Sequence, residues 1–378
     1  MKFDINVKNE RGETALVYAT KFGHKDIVQY LISENVDLDT RDAQGRSPFM
    51  LAVKNYECMT ILLTHAENKT SLFLFTNEGE SILIMACAYG QIRVAKRIIA
   101  MLSASDMETF INHQDENGYT ALHKACEYRQ ADTRYKLAEM LLSAGADPLI
   151  CESSQMSTPL HLATAKNDVH LVTLLFSGDG HVNCVDKNGV SPLFIAAENG
   201  FSGIVIALLA KGAETMQCRH SDRASPLLIS SERGHLEVVK KLLENMKGQN
   251  SINLANFENS TPLLLATLNN HTKICEILLE NNADINIQNK NGYNPILVAS
   301  RNGNAKLISL FLQNGADIDS HTLDDGNTPL HFAAMMGNKV ATKILLTRGA
   351  DMEKKNEQGL TPVVVASYMK QEDIIFTT

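Results

Sequence analysis

The chain of 378 residues contains no tryptophan, and aromatic residues make up only 6% of it. It therefore offers few rings on which nucleic-acid bases could stack. Basic residues are also in the minority, with 35 Lys and Arg against 43 Asp and Glu and a formal net charge of −8. Because nucleic-acid-binding domains usually carry a basic surface, we expect no nucleic-acid partner.

Long apolar runs are absent as well. The most apolar stretches, such as 203–210 and 363–366, are far shorter than the roughly 18 to 20 residues that cross a bilayer. The first six residues contain no apolar core of a signal peptide. We therefore expect no membrane insertion and a location in the cytoplasm, with the nucleus as the alternative.

The seven cysteines never form the CxxC pair that is typical of zinc or redox sites. Cys151, Cys184 and Cys218 each lie seven residues before a recurring Ser or Thr, so they share one register of a repeat. Packed helical layers lie roughly 8–10 Å apart, whereas a disulfide needs Cα atoms within about 7 Å. We expect free, buried thiols in a reducing compartment, and neither a metal nor a cofactor.

Proline is scarce but periodic. Eight of the nine prolines follow a Ser, Thr or Asn, and from Pro159 to Pro362 they recur every 33 to 36 residues. A Ser or Thr stands at the same place where the proline is missing, which extends the series to eleven positions: Thr14, Ser47, Ser81, Thr120, Thr158, Ser191, Ser225, Thr261, Asn294, Thr328 and Thr361. These residue types cap helix N-termini, and proline is tolerated in the first turn. Each position therefore predicts the start of a helix.

Each unit has the same internal order. A short apolar helix follows the cap, then a Gly or Asn break, a second helix with apolar residues at helical spacing, and an extended arm that leads to a turn. Two helices in about 33 residues cannot bury their own apolar faces, so neighbouring units must stack. We expect an all-α repeat solenoid, a single array over residues 1–378. The predicted units lie near 9–41, 42–75, 76–114, 115–152, 153–185, 186–219, 220–255, 256–288, 289–322, 323–355 and 356–378.

The repeat resembles the ankyrin repeat, whose T-P-L-H-x-A signature stands at 158–163 and 328–333, with a near match at 120–125. The resemblance covers essentially the whole chain. It implies stacked helix-turn-helix repeats with β-hairpin-like turns in a curved array, which binds partner proteins through the turn tips and the first helices that line a concave groove.

The histidines of the signature share one register, and the resemblance implies a structural, hydrogen-bonded role rather than metal binding. They are His123, His161 and His331. His24 and His235 follow the glycine between two helices, and we expect the same role of them.

The resemblance also places candidate partner-binding residues. At the turn tips they are Glu116, Asn117 and Tyr119; Lys187, Asn188 and Val190; Phe257, Glu258 and Ser260; and Lys290, Asn291 and Tyr293. At the ends of first helices they are Glu127 and Tyr128; Glu198 and Asn199; Leu268 and Asn269; and Arg301 and Asn302. Because aromatic and Arg side chains dominate interface hot spots, the strongest candidates are Tyr119, Tyr128, Phe257, Tyr293 and Arg301. The alternative for Phe257 and Tyr293 is that they pack against the adjacent turn.

Three units are longer than the others, with extra residues near 101–109, 129–134 and 245–250. We expect surface loops there, which either decorate a binding face or carry no function. Both ends of the chain fall within a unit. Residues 4–6 match the exit arm at 284–286, and a second helix is predicted to begin at 373–375. We expect a segment of a longer array or a chain with frayed ends.

Catalytic and metal-binding motifs are missing. Asp317, Asp319, Asp324 and Asp325 form an acidic cluster, but Thr322 and Thr328 stand where a calcium loop needs Gly and Glu. We expect these carboxylates to solvate an arm and a turn. The chain has no phosphate-binding loop, no nucleophile elbow and no H-E-x-x-H.

The function that we expect is that of a non-catalytic scaffold or adaptor, a monomer with protein partners. Two alternatives stay open. The first alternative is that the array is the regulatory or targeting segment of a larger enzyme, such as a kinase or transferase. The second is that it is the cytosolic portion of a membrane protein such as a channel.

Overall fold

The computed structural model describes residues 4–65, 69–176, 182–246 and 251–369. Two compact units divide the chain, a first unit over 1–187 and a second unit over 188–378. The described residues form helices and turns, and their one pairing of extended residues is an isolated bridge between Phe75 and Ser81. This confirms the prediction of an all-α repeat solenoid.

The helices of the first unit alternate between first and second members of a pair, except for one extra helix. In chain order they are α1 (Ala15–Lys21), α2 (Lys25–Ser33), α3 (Pro48–Leu51), α4 (Tyr56–His65), α5 (Ile82–Ala88), α6 (Ile92–Met101), α7 (Ala104–Ile111), α8 (Ala121–Glu127), α9 (Ala131–Ser143), α10 (Pro159–Ala165) and α11 (Val169–Leu175). Two 3₁₀ turns accompany them, Ala52–Lys54 and Lys69–Phe73.

The second unit continues the pairing, and its last described helix is the first member of a pair. Its helices are α12 (Pro192–Glu198), α13 (Ser202–Ala210), α14 (Pro226–Arg233), α15 (Leu236–Asn245), α16 (Pro262–Leu268), α17 (Thr272–Glu280), α18 (Pro295–Arg301), α19 (Ala305–Gln313), α20 (Pro329–Met335), α21 (Lys339–Thr347) and α22 (Pro362–Tyr368).

The predicted caps are confirmed, because each holds the N-cap position of the first helix of its pair. The side chain accepts the backbone N–H three residues along at most of them, namely Thr14, Ser47, Ser81, Thr120, Ser191, Ser225, Thr261, Asn294 and Thr328. Thr361 is the N-cap of α22, but its side chain makes no such bond. An N-cap bond of this kind contributes about 1 kcal/mol to stability.

Stacking buries the apolar faces. In the second unit α12 packs on α14, α14 on α16, and so on to α22, while the second helices α13 to α21 pack on one another in the same order. Leu193 and Phe194 of α12 and Leu243 of α15 are buried in these contacts. Ala196 and Ala197 are also buried, and their small side chains leave room for the neighbouring helix.

The first of the three insertions does not form the predicted loop. Residues 104–111 form α7, which begins after the cap Ser103 and buries Phe110 and Ile111. The ring of Phe73 meets Phe110 edge-on, with ring centres 5.3 Å apart. The loop prediction is therefore wrong at 101–109, because a cap and a buried apolar pair stabilise a helix there.

The second insertion is mostly helical as well. Residues 131–134 form the first turn of α9, so the loop prediction for 129–134 holds only at 129–130. Arg134 in that turn is buried and forms an ion pair with Asp168, which ties the turn to the next repeat. At the third insertion Asn245 ends α15, and 247–250 lie outside the described residues.

The exit arm predicted at 4–6 is confirmed. Asn6 Oδ1 accepts the N–H of Asp37 at 3.0 Å, as Asn286 Oδ1 accepts that of Asp317 at 3.0 Å. The helix start predicted at 373–375 lies outside the described residues.

All seven cysteines are free thiols, but not all are buried. Cys151, Cys184 and Cys218 are half-buried, so the expectation of burial is wrong for them. The reason is their place in the extended arms, where Cys151 and Cys218 lie beside carbonyl oxygens of Leu149 and Met216. The other four, Cys58, Cys87, Cys126 and Cys275, are buried in the helices, and burial raises the pKa of each thiol.

Candidate partner-binding surface

Backbone hydrogen bonds join the turn tips of successive repeats within each unit. In each bond an N–H at one tip donates to a carbonyl oxygen at the tip before it, over 2.7–3.2 Å. In the first unit the pairs are Asn77 to Gln44, Glu116 to Glu78, Ser153 to Asn117 and Lys187 to Gln155. In the second unit they are His220 to Asn188, Phe257 to Asp222, Lys290 to Glu258, Leu323 to Asn291 and Glu357 to Asp325. We call each series the tip ladder of its unit.

Several tips are also closed by a side chain at their start. Asp115 Oδ1 accepts the N–H of Asn117 at 3.0 Å and that of Tyr119 at 2.9 Å. Asn289 Oδ1 does the same for Asn291 and Tyr293. Sequence reasoning did not single out these residues, although their signal is visible as an Asp or Asn three residues before the turn glycine in several units.

The tip at 289–292 shows why glycine stands in these turns. Gly292 has φ +79°, in the left-handed region that other residues rarely adopt. A Cβ at this position would collide with the backbone nitrogen of Leu323, the donor of the next bond in the tip ladder. Glycine therefore lets two tips approach closely enough to be bonded.

Most predicted tip residues point to solvent. The exposed ones are Glu116, Asn117, Lys187, Asn188, Phe257, Glu258, Lys290 and Asn291. Tyr119, Val190 and Tyr293 are half-buried. Ser260 is buried, contrary to the expectation for a contact residue, because it lies directly before the cap Thr261, where the chain enters the stack.

The predicted helix-end residues are accessible too. Asn199, Leu268, Asn269, Arg301 and Asn302 are exposed, whereas Glu127, Tyr128 and Glu198 are half-buried. Glu198 accepts a hydrogen bond from Arg219 Nη1 at 3.3 Å, so part of its charge is neutralised.

The aromatic candidates differ in what they touch. Tyr293 packs against Phe332 of the next repeat, with ring centres 5.8 Å apart. Tyr119 lies edge-on to His123 and carries Lys124 Nζ 3.9 Å above its ring. Phe257 is 52% exposed, which leaves it the most accessible of the aromatic candidates at the tips.

Three further side chains are exposed at the tips and were not predicted from the sequence, namely Met156, Arg223 and Leu323. Leu323 is 61% exposed and Met156 is 51% exposed. Met156 and Arg223 have φ of +60° and +64° and hold the tip position that glycine holds in most repeats. A bulky residue in place of that glycine is the sequence signal that identifies Met156 and Arg223.

The signature histidines have the predicted structural role. His123 Nδ1 accepts the N–H of Thr120 at 3.2 Å, and its Nε2 lies 3.2 Å from the carbonyl oxygen of Ser157 in the next repeat. His331 joins Thr328 to Leu360 in the same way, and His161 Nδ1 accepts the N–H of Thr158. Burial lowers the pKa of His123 to about 4 and also lowers that of His331, so these rings are neutral at pH 7.

The two inter-helix histidines differ from each other. His235 Nε2 bonds the carbonyl oxygen of Glu198 at 2.9 Å, which confirms its structural role. His24 is exposed, and its ring forms no hydrogen bond with a described residue, so the prediction is wrong there. Among the described residues no helix pair precedes α1, whereas the preceding helix pair supplies the carbonyl oxygen of Glu198 to His235.

Three of the four aspartates of the acidic cluster accept hydrogen bonds in an arm and a turn, as predicted, and Asp324 is exposed. Asp317 and Asp319 accept the backbone N–H groups of Asp319 and Asp351, and Asp325 accepts the side-chain amide of Asn327 at 2.6 Å. Among the described residues no group of three or more His, Cys, Asp or Glu is arranged to hold a metal. No helix in this part of the chain is long and apolar enough to cross a membrane.

Comparisons with known proteins agree with this geometry. A family model described as "Ankyrin repeats (3 copies)" matches residues 1–72, 68–152, 135–219, 212–289 and 296–376. The chain is similar to human transient receptor potential cation channel subfamily A member 1, with 27% identity over 216 residues, and to the chicken (Gallus gallus) nuclear factor NF-kappa-B p105 subunit, with 28% identity over 217 residues. Each alignment covers 55% of this chain, but only 18% of the channel subunit and 21% of the nuclear factor.

A shorter relative is covered more fully. The ankyrin repeat protein YahD of Escherichia coli (strain K12) is 26% identical over 211 residues, which is 56% of this chain and 85% of that protein.

Proposed function

The chain belongs to the ankyrin-repeat family, and on this premise we propose that it is a non-catalytic scaffold that binds partner proteins. Ankyrin repeats are generally protein–protein interaction modules. The contacts are made by the exposed turn tips and the exposed ends of the first helices. The observation that carries the proposal is the tip ladder, which fixes the backbone under a row of exposed side chains that differ from repeat to repeat.

A fixed backbone favours binding because less conformational entropy is lost when the partner docks. The side chains above it supply specificity. In the second unit one repeat presents Phe257 at its tip and Leu268 at its helix end, and the next presents Arg301. Aromatic and Arg side chains of this kind are the usual hot spots of interfaces.

We propose further that the protein acts as a monomer in the cytoplasm or nucleus, with protein rather than nucleic-acid partners. The seven free thiols fit a reducing compartment. The net charge of −8 argues against binding to a polyanion.

Affinity purification with a matched pair of variants tests the proposal. The surface variant replaces Phe257, Leu268 and Arg301 by Ala, and the control replaces Lys273, Glu280 and Gln313 on second helices, which are also exposed. Proteins captured by the unsubstituted chain should be lost with the surface variant and kept with the control, while both variants unfold at the same temperature as the unsubstituted chain. Equal capture by both variants would refute the proposed surface.

A second candidate function follows from the lengths of the relatives. This chain spans about a fifth of the length of the channel subunit and of the nuclear factor subunit. The repeats could therefore serve as the targeting or regulatory segment of a larger protein. The reading frame on either side of this sequence decides the matter: a kinase signature or membrane spans would support this candidate, and further repeats alone would oppose it.

A further inference from the structure

One edge of the first unit carries cations that lie over aromatic rings. Lys54 Nζ lies 4.0 Å from the centre of the Tyr89 ring, and the guanidinium carbon of Arg93 lies 5.8 Å from the centre of the Tyr56 ring. Both contacts join one repeat to the next. We call Lys54, Tyr56, Tyr89 and Arg93 the cation–aromatic edge.

The edge is open to solvent. Tyr56 is 42% exposed, Tyr89 is 40% exposed, and both cations are exposed. The residues come from the segments that join paired helices: Lys54 ends the 3₁₀ turn after α3, Tyr56 begins α4, Tyr89 follows α5 and Arg93 lies in the first turn of α6. The edge thus adjoins the ends of the first helices, which belong to the proposed binding surface.

The charge of this edge is not neutralised by any carboxylate of the described residues. Lys25 and Lys306 lie in the first turns of α2 and α19, as Arg93 does in α6, and each pairs with a glutamate of a neighbouring repeat. Arg93 contacts the ring of Tyr56 in the neighbouring repeat, where Lys25 and Lys306 contact a glutamate. Among the described residues no carboxylate lies within 4.0 Å of the Lys54 amine or the Arg93 guanidinium.

We propose that the cation–aromatic edge binds an acidic segment of a partner protein, in which Asp or Glu residues adjoin aliphatic or aromatic ones. The inference rests on the proposed function and names the chemistry of its partner. Carboxylates would form charge-assisted hydrogen bonds with Lys54 and Arg93, which are stronger than neutral ones. Apolar side chains would cover the exposed rings of Tyr56 and Tyr89. The rings hold both cations in place before binding, so little side-chain entropy is lost.

A peptide selection on the full chain tests this inference without a known partner. A phage library of random dodecapeptides is selected against the unsubstituted protein, and the enriched sequence is synthesised and titrated by fluorescence anisotropy. We expect enrichment of Asp and Glu next to apolar residues, and an affinity that falls as salt is raised.

Matched variants locate the binding. Lys54→Glu with Arg93→Glu should weaken the selected peptide by at least about tenfold. Lys273→Glu is the control, because Lys273 is exposed in the first turn of α17, in the same register as Arg93 in α6, with no ring beside it among the described residues. It should change the affinity less than twofold. Tyr56→Leu with Tyr89→Leu keeps both charges and should weaken binding several-fold, and thermal unfolding shows that each variant is folded.

Several results would overturn the inference. They are a neutral or basic consensus, an affinity that is unchanged by Lys54→Glu with Arg93→Glu, an equal loss with Lys273→Glu, and tighter binding of a single-stranded oligonucleotide than of the peptide. If the selected peptide is instead lost with the Phe257, Leu268 and Arg301 variant, the inference fails while the proposed function stands. If no peptide is enriched and that variant keeps every captured protein, both fail.

Discussion

Arg134 and Asp168 form a buried ion pair between two successive repeats of the first unit. The Nη2 and Oδ2 atoms are 2.7 Å apart, and the two side chains are 6% and 8% exposed. Arg134 also donates to the carbonyl oxygen of Tyr128 at 2.8 Å, and Asp168 Oδ1 caps α11 by accepting the N–H of Leu171 at 3.0 Å. The pair therefore fixes the start of α9, the loop before it and the start of α11 at once.

Removal of one partner should be costly. Arg134→Met leaves a buried carboxylate without its cation, and we expect a loss of about 3–5 kcal/mol in the free energy of unfolding. Lys136→Met is the control in the same helix, since the pair of Lys136 with Asp132 is exposed and should contribute less than about 0.5 kcal/mol. Urea titration followed by circular dichroism measures both. A second change, Asp168→Asn, should restore part of the loss, and equal effects of the two Met variants would contradict this account.

The pH dependence of stability should report on His123. Its folded pKa, lowered by burial to about 4, lies below the unfolded value near 6.5, so the unfolded chain binds the proton first as pH falls. The stability that the neutral ring contributes is complete above pH 6.5 and is lost as pH falls towards 4, by up to about 3 kcal/mol. Unfolding midpoints of the unsubstituted chain and of His123→Gln, measured from pH 7 to pH 4, should converge. Parallel curves would show that His123 does not titrate in this way.

Two glycines allow the destabilisation caused by close contact between tips to be measured apart from that caused by backbone strain. Gly292 and Gly315 have φ of +79° and +80°, but a Cβ meets the backbone of Leu323 only at Gly292 and open space at Gly315. Gly315→Ala should cost about 1–2 kcal/mol from the left-handed backbone alone. Gly292→Ala should cost more and should speed hydrogen exchange at the amide of Leu323. Equal costs would mean that the tips are not packed as described.

A core deletion in the second unit tests how the repeats share stability. Leu193→Ala removes a fully buried side chain of α12 and should cost about 2–5 kcal/mol. Ile206→Ala in α13 is the control, because Ile206 is 49% exposed. Repeats contact only their neighbours, so hydrogen exchange should rise mainly in α12 to α15. A uniform rise over the whole chain would contradict nearest-neighbour stabilisation.

Much of this fold could be predicted from the sequence, because a cap and a proline are local signals. Thr328 and Pro329 mark the start of α20 without any knowledge of what packs on it. The division into eleven units stays a prediction, since the structure gives no boundary between one unit and the next beyond the helix pairs themselves.

The parts that were missed depend on distant contacts. The helix at 104–111 is stabilised by the contact of Phe110 with the ring of Phe73. The first turn of α9 is stabilised by the hydrogen bond of Arg134 with Asp168, which lies 34 residues further along the chain. The same holds for the candidate surface. Sequence spacing placed Tyr293 at a tip, but only the structure shows it against Phe332, and only the structure brings Lys54 onto Tyr89.

Photo-crosslinking tests the claim that partners bind at the turn tips. A photoreactive phenylalanine derivative is placed at Phe257, which is exposed at a tip, or at Lys273, which is exposed on a second helix. After irradiation in cells, we expect defined protein adducts from position 257 and none of those adducts from position 273. The same adducts from both positions, or adducts from 273 alone, would contradict the claim.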